Sequence, residues 1–562
     1  MYHDETYIYT LHVPRLQLPF QFPPIMEVTR MLTMSMATAV MVTVVVILVL
    51  GSLGRPRRSQ RKTLNLPPGP RGWPVFGSLL SLLADTLPPH RVLAALAARY
   101  GPLMHLRLGS FDVVVASSAE AARLVLKTHD LAFADRPPTA FGKILGYDYK
   151  GIVQTPYGPY WRMARKLCAT ELFSARRIDA FERARAQEMR ALTRGLFERA
   201  GATVQVKEHL LSFTMRNILR MALGEKWSSG SCNSHDGGDG EAFRRSLKES
   251  FMVTGLLGNV GESVPWLGWL DAQGFVRRMK RVHAMFDRFN EQILNEHQNG
   301  RRRAGAGSEM DLVDVLLQLA EDGEEAAERP PETRLTRDGV KAFLLDIIGG
   351  GTETAAATLE WSVLELLRHP AAMAAATDAL DRTVGRGRWV TETDLPELPY
   401  IEAVVKETMR LHPVGPLLIP HHAREDTVVG GYDVPAGARV LVNMWAVGRD
   451  PASWPEAPGA FRPERFLAGG SAEGVDVHGA HFQLLPFGSG RRMCPAHSLA
   501  MKEMVAALAN LVQGFSWRLP DGVAPEEMSM EEFFGLNVSR KEPLVAIAEP
   551  RLPAHLYAAV DD

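Results

Sequence analysis

The stretch LLPFGSGRRMCPAHSLA, Leu484 to Ala500, carries one of only three cysteines in 562 residues. A metal-binding thiolate needs positive surroundings and hydrogen-bond donors to stay ionised. Gly488 and Gly490 let the backbone turn and aim N–H groups at the sulfur of Cys494. Pro495 suits the first position of the apolar helix that follows, whose positive end would then lie by the sulfur. Arg491 and Arg492 add charge. This combination suits a thiolate ligand to a haem iron, where the sulfur donates the electron density that favours O–O cleavage. The plainer alternative is a buried structural cysteine near a helix start.

A second stretch, LLDIIGGGTETAAATLEW, Leu344 to Trp361, is helical by its apolar flanks yet contains Gly349, Gly350 and Gly351. Each glycine costs a helix interior roughly 1 kcal/mol against alanine. That cost is tolerated where something approaches the backbone closely or where the helix kinks. Glu353 and Thr354 follow at once, and polar groups in an apolar segment are expensive unless used or satisfied. A carboxyl and a hydroxyl beside a flat cofactor could relay protons to bound oxygen. Equally, the glycines could serve helix packing and Thr354 could bond its own backbone. In the third stretch, YIEAVVKETMRLHP, Glu407 and Arg410 share a helical face, and FRPERF offers Arg465 as a third member of the group.

The elements that must hold these residues are mostly helical. Apolar periodicity predicts helices around 120–129, 160–172, 178–199, 276–296, 335–367, 371–383, 401–411 and 498–512. LMHLRLGSFDVVVAS predicts a hairpin about Gly109-Ser110. TVVGGYDVPAGARVLVNMW predicts two β-branched flanks about a turn at Pro435-Ala436-Gly437. SSGSCNSHDGGDGE, NGRRRAGAGSE and EDGEEAAERPPE read as surface loops, the first holding Cys232. The expectation is a mainly α chain with a small β-sheet region and no internal repeats.

Composition is ordinary for a globular domain, at 46% hydrophobic and 23% charged, and a net charge of -1 gives no sign of a nucleic-acid partner. Cys168, Cys232 and Cys494 lie too far apart for a disulfide framework or a paired metal spacing. Residues 31–53 lie in an uncharged apolar run long enough to span a bilayer. RPRRSQRK follows and marks the cytosolic flank of a single-pass anchor. Residues 1–30 are an extension without periodicity. Residues 54–77, with four prolines between Leu66 and Gly77, read as a basic flank and a stiff hinge, and 78–562 as the catalytic domain.

Together these stretches resemble the membrane-anchored plant cytochromes P450, and the resemblance runs from Met31 to near the C-terminus. The haem-binding loop of that family matches Phe487, Gly490, Arg492 and Cys494, with Ala496 where glycine is usual. The oxygen-activating motif matches Gly350 to Thr354, with Ala355 where a second hydroxyl often stands. The resemblance implies a P450 fold with an N-terminal transmembrane helix and haem b ligated by Cys494. It implies propionate contacts from Trp161, Arg165, Arg492 and His421, proton delivery by Thr354 with Glu353, and a structural network of Glu407, Arg410 and Arg465. It further implies a monooxygenase of the endoplasmic reticulum membrane with its catalytic domain in the cytosol. Electrons would come from NADPH through NADPH-cytochrome P450 reductase. O2 and a lipophilic plant metabolite of flavonoid, terpenoid, steroid or fatty-acid type would be the substrates. Some relatives hydroxylate flavonoids, and others cleave terpenoid alcohols to homoterpenes. A haem-thiolate isomerase or dehydratase that needs no reductase is the alternative, and Thr354 speaks against it.

Overall fold

Leu103–Leu108 (β1) and Phe111–Ala116 (β2) pair antiparallel about Gly109-Ser110, as their alternation dictates. His421–His422 (β3), Thr427–Val429 (β4), Tyr432–Val434 (β5) and Arg439–Val442 (β6) follow late in the chain. The second hairpin departs from expectation. Its strands are β4 and β5, joined by Gly430 and Gly431, whose φ values of 56° and 84° are both left-handed. The turn at Pro435–Gly437 does form, but it releases β6 to pair parallel with β2 instead of folding back on β5. β3 then adds to β6, giving the order β1-β2-β6-β3 and carrying His421 inward.

In this computed structural model the described residues are 43, 64–224, 239–253, 259–304, 311–321, 330 and 333–558. The extension 1–30, the anchor 31–53 apart from Thr43, the basic flank and Cys232 lie outside them. Among the described residues no helix is long and apolar enough to cross a membrane.

Six helices position the site: Pro159–Leu167 (α1), Val206–Leu223 (α2), Asp239–Val253 (α3), Arg337–Arg368 (α4), Pro399–Leu411 (α5) and His497–Gly514 (α6). The sequence pattern placed α1, α4, α5 and α6 within a few residues. It missed α2, which is buried almost all round and so shows no polar face to reveal its period. It also ran too far in three places. The 119–128 and 159–172 helices each end in a wide π turn, and the 178–199 run breaks at Phe181. The first polar loop gives way to helix at Asp239.

α4 runs unbroken through its three glycines and packs along α2. A Cβ on Gly351 would lie 2.8 Å from Ile218 Cγ1, so glycine is what lets the two helices cross this closely. Thr214 of α2 donates to the Thr352 carbonyl at 2.9 Å across the same contact. A buried core of Trp361, Leu364, Val404, Leu508 and their neighbours ties α4 to α5 and α6.

The proline-rich stretch is not a free connector. The chain from Thr63 clusters with the rest of the protein as one unit. His105 N–H donates to the Pro68 carbonyl at 3.0 Å, and Gly77 bridges to Leu108. A Cβ on Gly69 would lie 1.8 Å from the His105 carbonyl oxygen, so this segment lies flat on β1.

Candidate haem-thiolate site

Cys494 and Thr354 line one chamber of about 360 Å³ enclosed by α1, α2, α3, α4, α6 and the loops between them. The loop before α6 makes a double left-handed turn, at Gly488 (φ 71°) and Gly490 (φ 66°). A Cβ on Gly490 would fall 2.4 Å from the Leu126 carbonyl oxygen, so only glycine fits there. Gly490 itself does not line the chamber; its role is to shape the turn. The Cys494 N–H donates to the Phe487 carbonyl at 2.9 Å, which closes the loop and turns the thiol toward the chamber that Phe487 also lines. Burial pushes the Cys494 thiol up, while the Ala496 N–H and Arg165 pull it down. Ala496 sits at φ -95°, ordinary backbone that alanine adopts without strain.

Two expectations about this loop change. α6 begins at His497, so Pro495 lies in the preceding turn and not at the first helical position. Arg491 faces outward to Asp130 at 2.5 Å, so of the two arginines only Arg492 meets the chamber.

Trp161, Arg165, Arg492 and His421 all line the chamber, joined by Arg136, which sequence reasoning passed over. Arg165 donates to the Met493 carbonyl at 2.6 Å. Arg492 donates to Ala134 and Thr155 carbonyls, both at 2.7 Å, and its guanidinium lies 4.6 Å from the Trp161 ring centre. Arg136 donates to the carbonyls of Val153, Ile419 and Pro420. Burial lowers the pKa of Arg492 to about 10 and lowers that of Arg136 well below the usual value; the Arg492 charge further lowers Arg136, and the Arg165 charge further lowers Arg492. His421 is lowered to about 3 by burial and then by Arg136. Its Nδ1 lies 2.8 Å from the Phe133 carbonyl, so Nδ1 donates and Nε2 is left as the other ring nitrogen.

The residues present fit a flat, apolar, dianionic group bound by a thiolate. The buried Nη1 of Arg492 has no acceptor, and it sits in a cluster of guanidiniums with too little negative charge to balance them. Carboxylates of a bound cofactor would supply that acceptor and that charge.

Gly350 and Thr354 of α4 form another wall of the chamber, and a Cβ on Gly350 would meet nothing within 4 Å. The Thr354 hydroxyl donates to the Gly350 carbonyl at 2.7 Å, so its oxygen lone pairs remain to accept. Glu353 turns elsewhere. It pairs with Lys207 of α2 at 2.9 Å and is not among the lining residues, so a direct relay from Glu353 to Thr354 is not built into the geometry. The substrate-side lining is largely apolar, with Phe141, Ile218, Leu247, Phe251, Val414 and Leu536 among it. The stretches 137–151, 345–349, 414–418 and 534–536, expected as pocket walls, each contribute, while the share from α2 and α3 was unforeseen.

Glu407, Arg410 and Arg465 come together away from the chamber and fully buried. Arg410 Nε and Nη2 each donate to Glu407 at 2.7 Å, and Arg465 Nε at 3.1 Å. Gly448, Pro458 and Ala460 carbonyls take the remaining Arg410 donors. Trp454 stacks under Arg410 at 5.0 Å. The trio fixes α5 against the loop that precedes the cysteine turn.

The family profile described as Cytochrome P450 matches residues 67–545. A trimethyltridecatetraene synthase of Zea mays is 68% identical over 94% of this chain and 96% of its own length. A dimethylnonatriene synthase of Zea mays is 65% identical over 95% of this chain and 100% of its own. A flavonoid 3'-monooxygenase of Petunia hybrida is 40% identical over 93% of this chain and 100% of its own. Among solved structures, a zebra fish cytochrome P450 with progesterone superposes with a TM-score of 0.68 at 28% identity, covering 83% of this chain and 100% of that one.

Proposed function

This chain belongs to the cytochrome P450 family and is a haem monooxygenase, and from that premise we propose that it oxidises an acyclic terpenoid alcohol and releases an acyclic polyene. The observation that carries the site reading is that the Cys494 thiol opens into the same largely apolar chamber that Thr354 lines. The observation that favours the substrate class is the identity of 68% and 65% to synthases named for acyclic polyenes, well above the 40% to a flavonoid monooxygenase.

Bound in the chamber, haem supplies the oxygen activation and hydrogen removal that no side chain can perform. The chain supplies the rest. Cys494 offers the thiolate, shielded by the turn at Gly488 and Gly490. Arg492, Arg136 and Arg165 would hold the acidic edge of the cofactor and balance its charge, with Trp161 beside them. The apolar lining excludes water and orients a hydrocarbon chain by contact alone, since it offers few polar groups to grip one. Thr354, with its proton committed to Gly350, accepts a hydrogen bond from water or substrate and so orders a proton source at that wall.

NADPH electrons delivered by NADPH-cytochrome P450 reductase complete the reaction. The uncharged run 31–53 and the basic flank behind it would hold the protein on the endoplasmic reticulum membrane with the catalytic unit in the cytosol. The test is the full-length protein with reductase in lipid vesicles, given sesquiterpenoid and diterpenoid acyclic alcohols and, separately, flavonoids. Polyene release that needs both NADPH and O2 is expected. Conversion without NADPH would favour the isomerase or dehydratase reading. Hydroxylation of flavonoids alone would overturn the substrate class.

A further inference from the structure

Asp346 lies two turns before Thr354 on α4, in the middle of an apolar run, and lines the chamber. Its Oδ2 accepts two backbone N–H groups, from Ile152 at 2.6 Å and Val153 at 2.9 Å. Gly151 packs so closely that a Cβ there would fall 2.3 Å from the same oxygen. Burial raises the Asp346 carboxyl to about 6, while the two N–H groups favour the charged form.

The residues it grips follow a strained turn. Tyr147, Asp148 and Tyr149 are three consecutive non-glycine residues with positive φ, at 49°, 58° and 64°. Left-handed backbone is unfavourable for an ordinary residue, and such a run persists only where its surroundings hold it. The Thr155 hydroxyl, bonded back to Tyr149 and Gly151, is one such hold, and Asp346 fixes the residues that directly follow the run. The held segment presents Ile152 and Val153 to the chamber. Its Val153 and Thr155 carbonyls receive Arg136 and Arg492.

We infer that Asp346 is a specificity-determining positioning residue: it pins residues 151–153 as a wall that limits how long a hydrocarbon chain the chamber accepts. This rests on the reading of the substrate as an elongated apolar chain. Asp346 acts through the wall and needs no contact with the reacting atoms.

The experiment uses the haem-loaded protein and a series of n-alkylimidazoles of increasing chain length, whose binding is read from the shift of the Soret band and does not depend on knowing the substrate. In the wild type, affinity should rise about fourfold per added methylene and level off where the tail meets the wall. In Asp346→Ala the break should move to longer chains, so that the longest homologues bind tenfold or more tighter than to wild type. Asp346→Asn keeps an acceptor oxygen and should retain the wild-type break, which a general loosening of the fold would not allow. An Asp346→Ala protein with an intact thiolate-type carbon monoxide band and an unmoved break overturns the inference. So does an Asn variant that behaves like Ala. If Asp346→Ala does not hold haem, Gly151→Ala decides in the same assay, since its Cβ pushes the segment off Oδ2. A moved break there supports the pin and an unmoved one sinks it. A break that moves while no terpenoid alcohol is turned over leaves the pin standing and removes only the substrate reading.

Discussion

Replacing Glu407 by alanine withdraws the acceptor from three guanidinium N–H groups, two on Arg410 and one on Arg465, and from the Arg462 N–H at 2.8 Å. Both arginines would keep backbone carbonyls, Gly448, Pro458 and Ala460 for Arg410 and Glu456 for Arg465. Neither would keep a counter-charge, and both are buried, at 1% and 3% exposure. Removing one partner of a buried ion pair costs about 3–5 kcal/mol, because the other charge stays behind without compensation. Against a typical total of about 5–15 kcal/mol that is a large fraction. Urea slopes are about 1–3 kcal/mol per molar for small proteins and grow with size, so at a slope of about 5 kcal/mol per molar the midpoint should fall by about 0.6–1 M. The assay is urea titration followed by circular dichroism and by loss of the thiolate-type carbon monoxide band. Glu407→Gln keeps the volume and one acceptor and should fall between. Glu402→Ala is the control. It sits on the same helix, and its pair with Lys406 at 2.8 Å is 43% exposed on the glutamate side, so its loss should cost under about 1 kcal/mol. A Glu407→Ala midpoint indistinguishable from that of Glu402→Ala would refute the reasoning.

Cys494→Ala should abolish the thiolate-type carbon monoxide band, whereas Cys168→Ala should keep it; the Cys168 thiol is buried and pushed up to about 12, chiefly by that burial. An unchanged spectrum in Cys494→Ala would remove the ligand assignment. Thr354→Ala should retain haem and substrate binding, yet yield less product and more peroxide per NADPH. General acid assistance is typically worth about 10²–10⁴-fold, so a partial loss of coupling is a modest demand. Unchanged product per NADPH would reduce Thr354 to a backbone-bonded helix residue. Burial raises the Glu503 carboxyl to about 7, against the hydrogen bond from Asn217. Its protonated form therefore favours the fold below the unfolded value of about 4.3, and that contribution is lost as pH rises through about 7. Glu503→Gln should gain on wild type across that window, by up to about 3 kcal/mol. Parallel urea midpoints for the two proteins at pH 5 and pH 8 would contradict it.

Much of the chemistry was legible because it is local. A glycine that must turn, a cysteine four residues beyond it and a helix after that lie within one short stretch, so residue type and spacing imply the geometry directly. The hairpin at Gly109-Ser110 and the helices carrying Thr354, Glu407 and Ala500 follow for the same reason, since hydrophobic period acts over a few neighbours. α2 gave no such signal. It is buried on nearly every side, and burial all round erases the contrast that a period needs. Arg136 was invisible because one arginine in a loop carries no pattern; its meaning comes from Arg492 and His421, which lie hundreds of residues away. Asp346 could have been noticed, since a lone acid among LLDII is expensive unless used, but what uses it is the backbone at Ile152 and Val153. Glu353 shows the converse. Its place beside Thr354 suggested a partner in proton transfer, yet the helix turns adjacent side chains about 100° apart, and Lys207 on α2 takes it. The sequence by itself determined the cysteine-bearing loop and most of the helical scaffold. Tertiary packing decided which charges face the chamber, because burial and pairing depend on segments that meet only once the chain has folded.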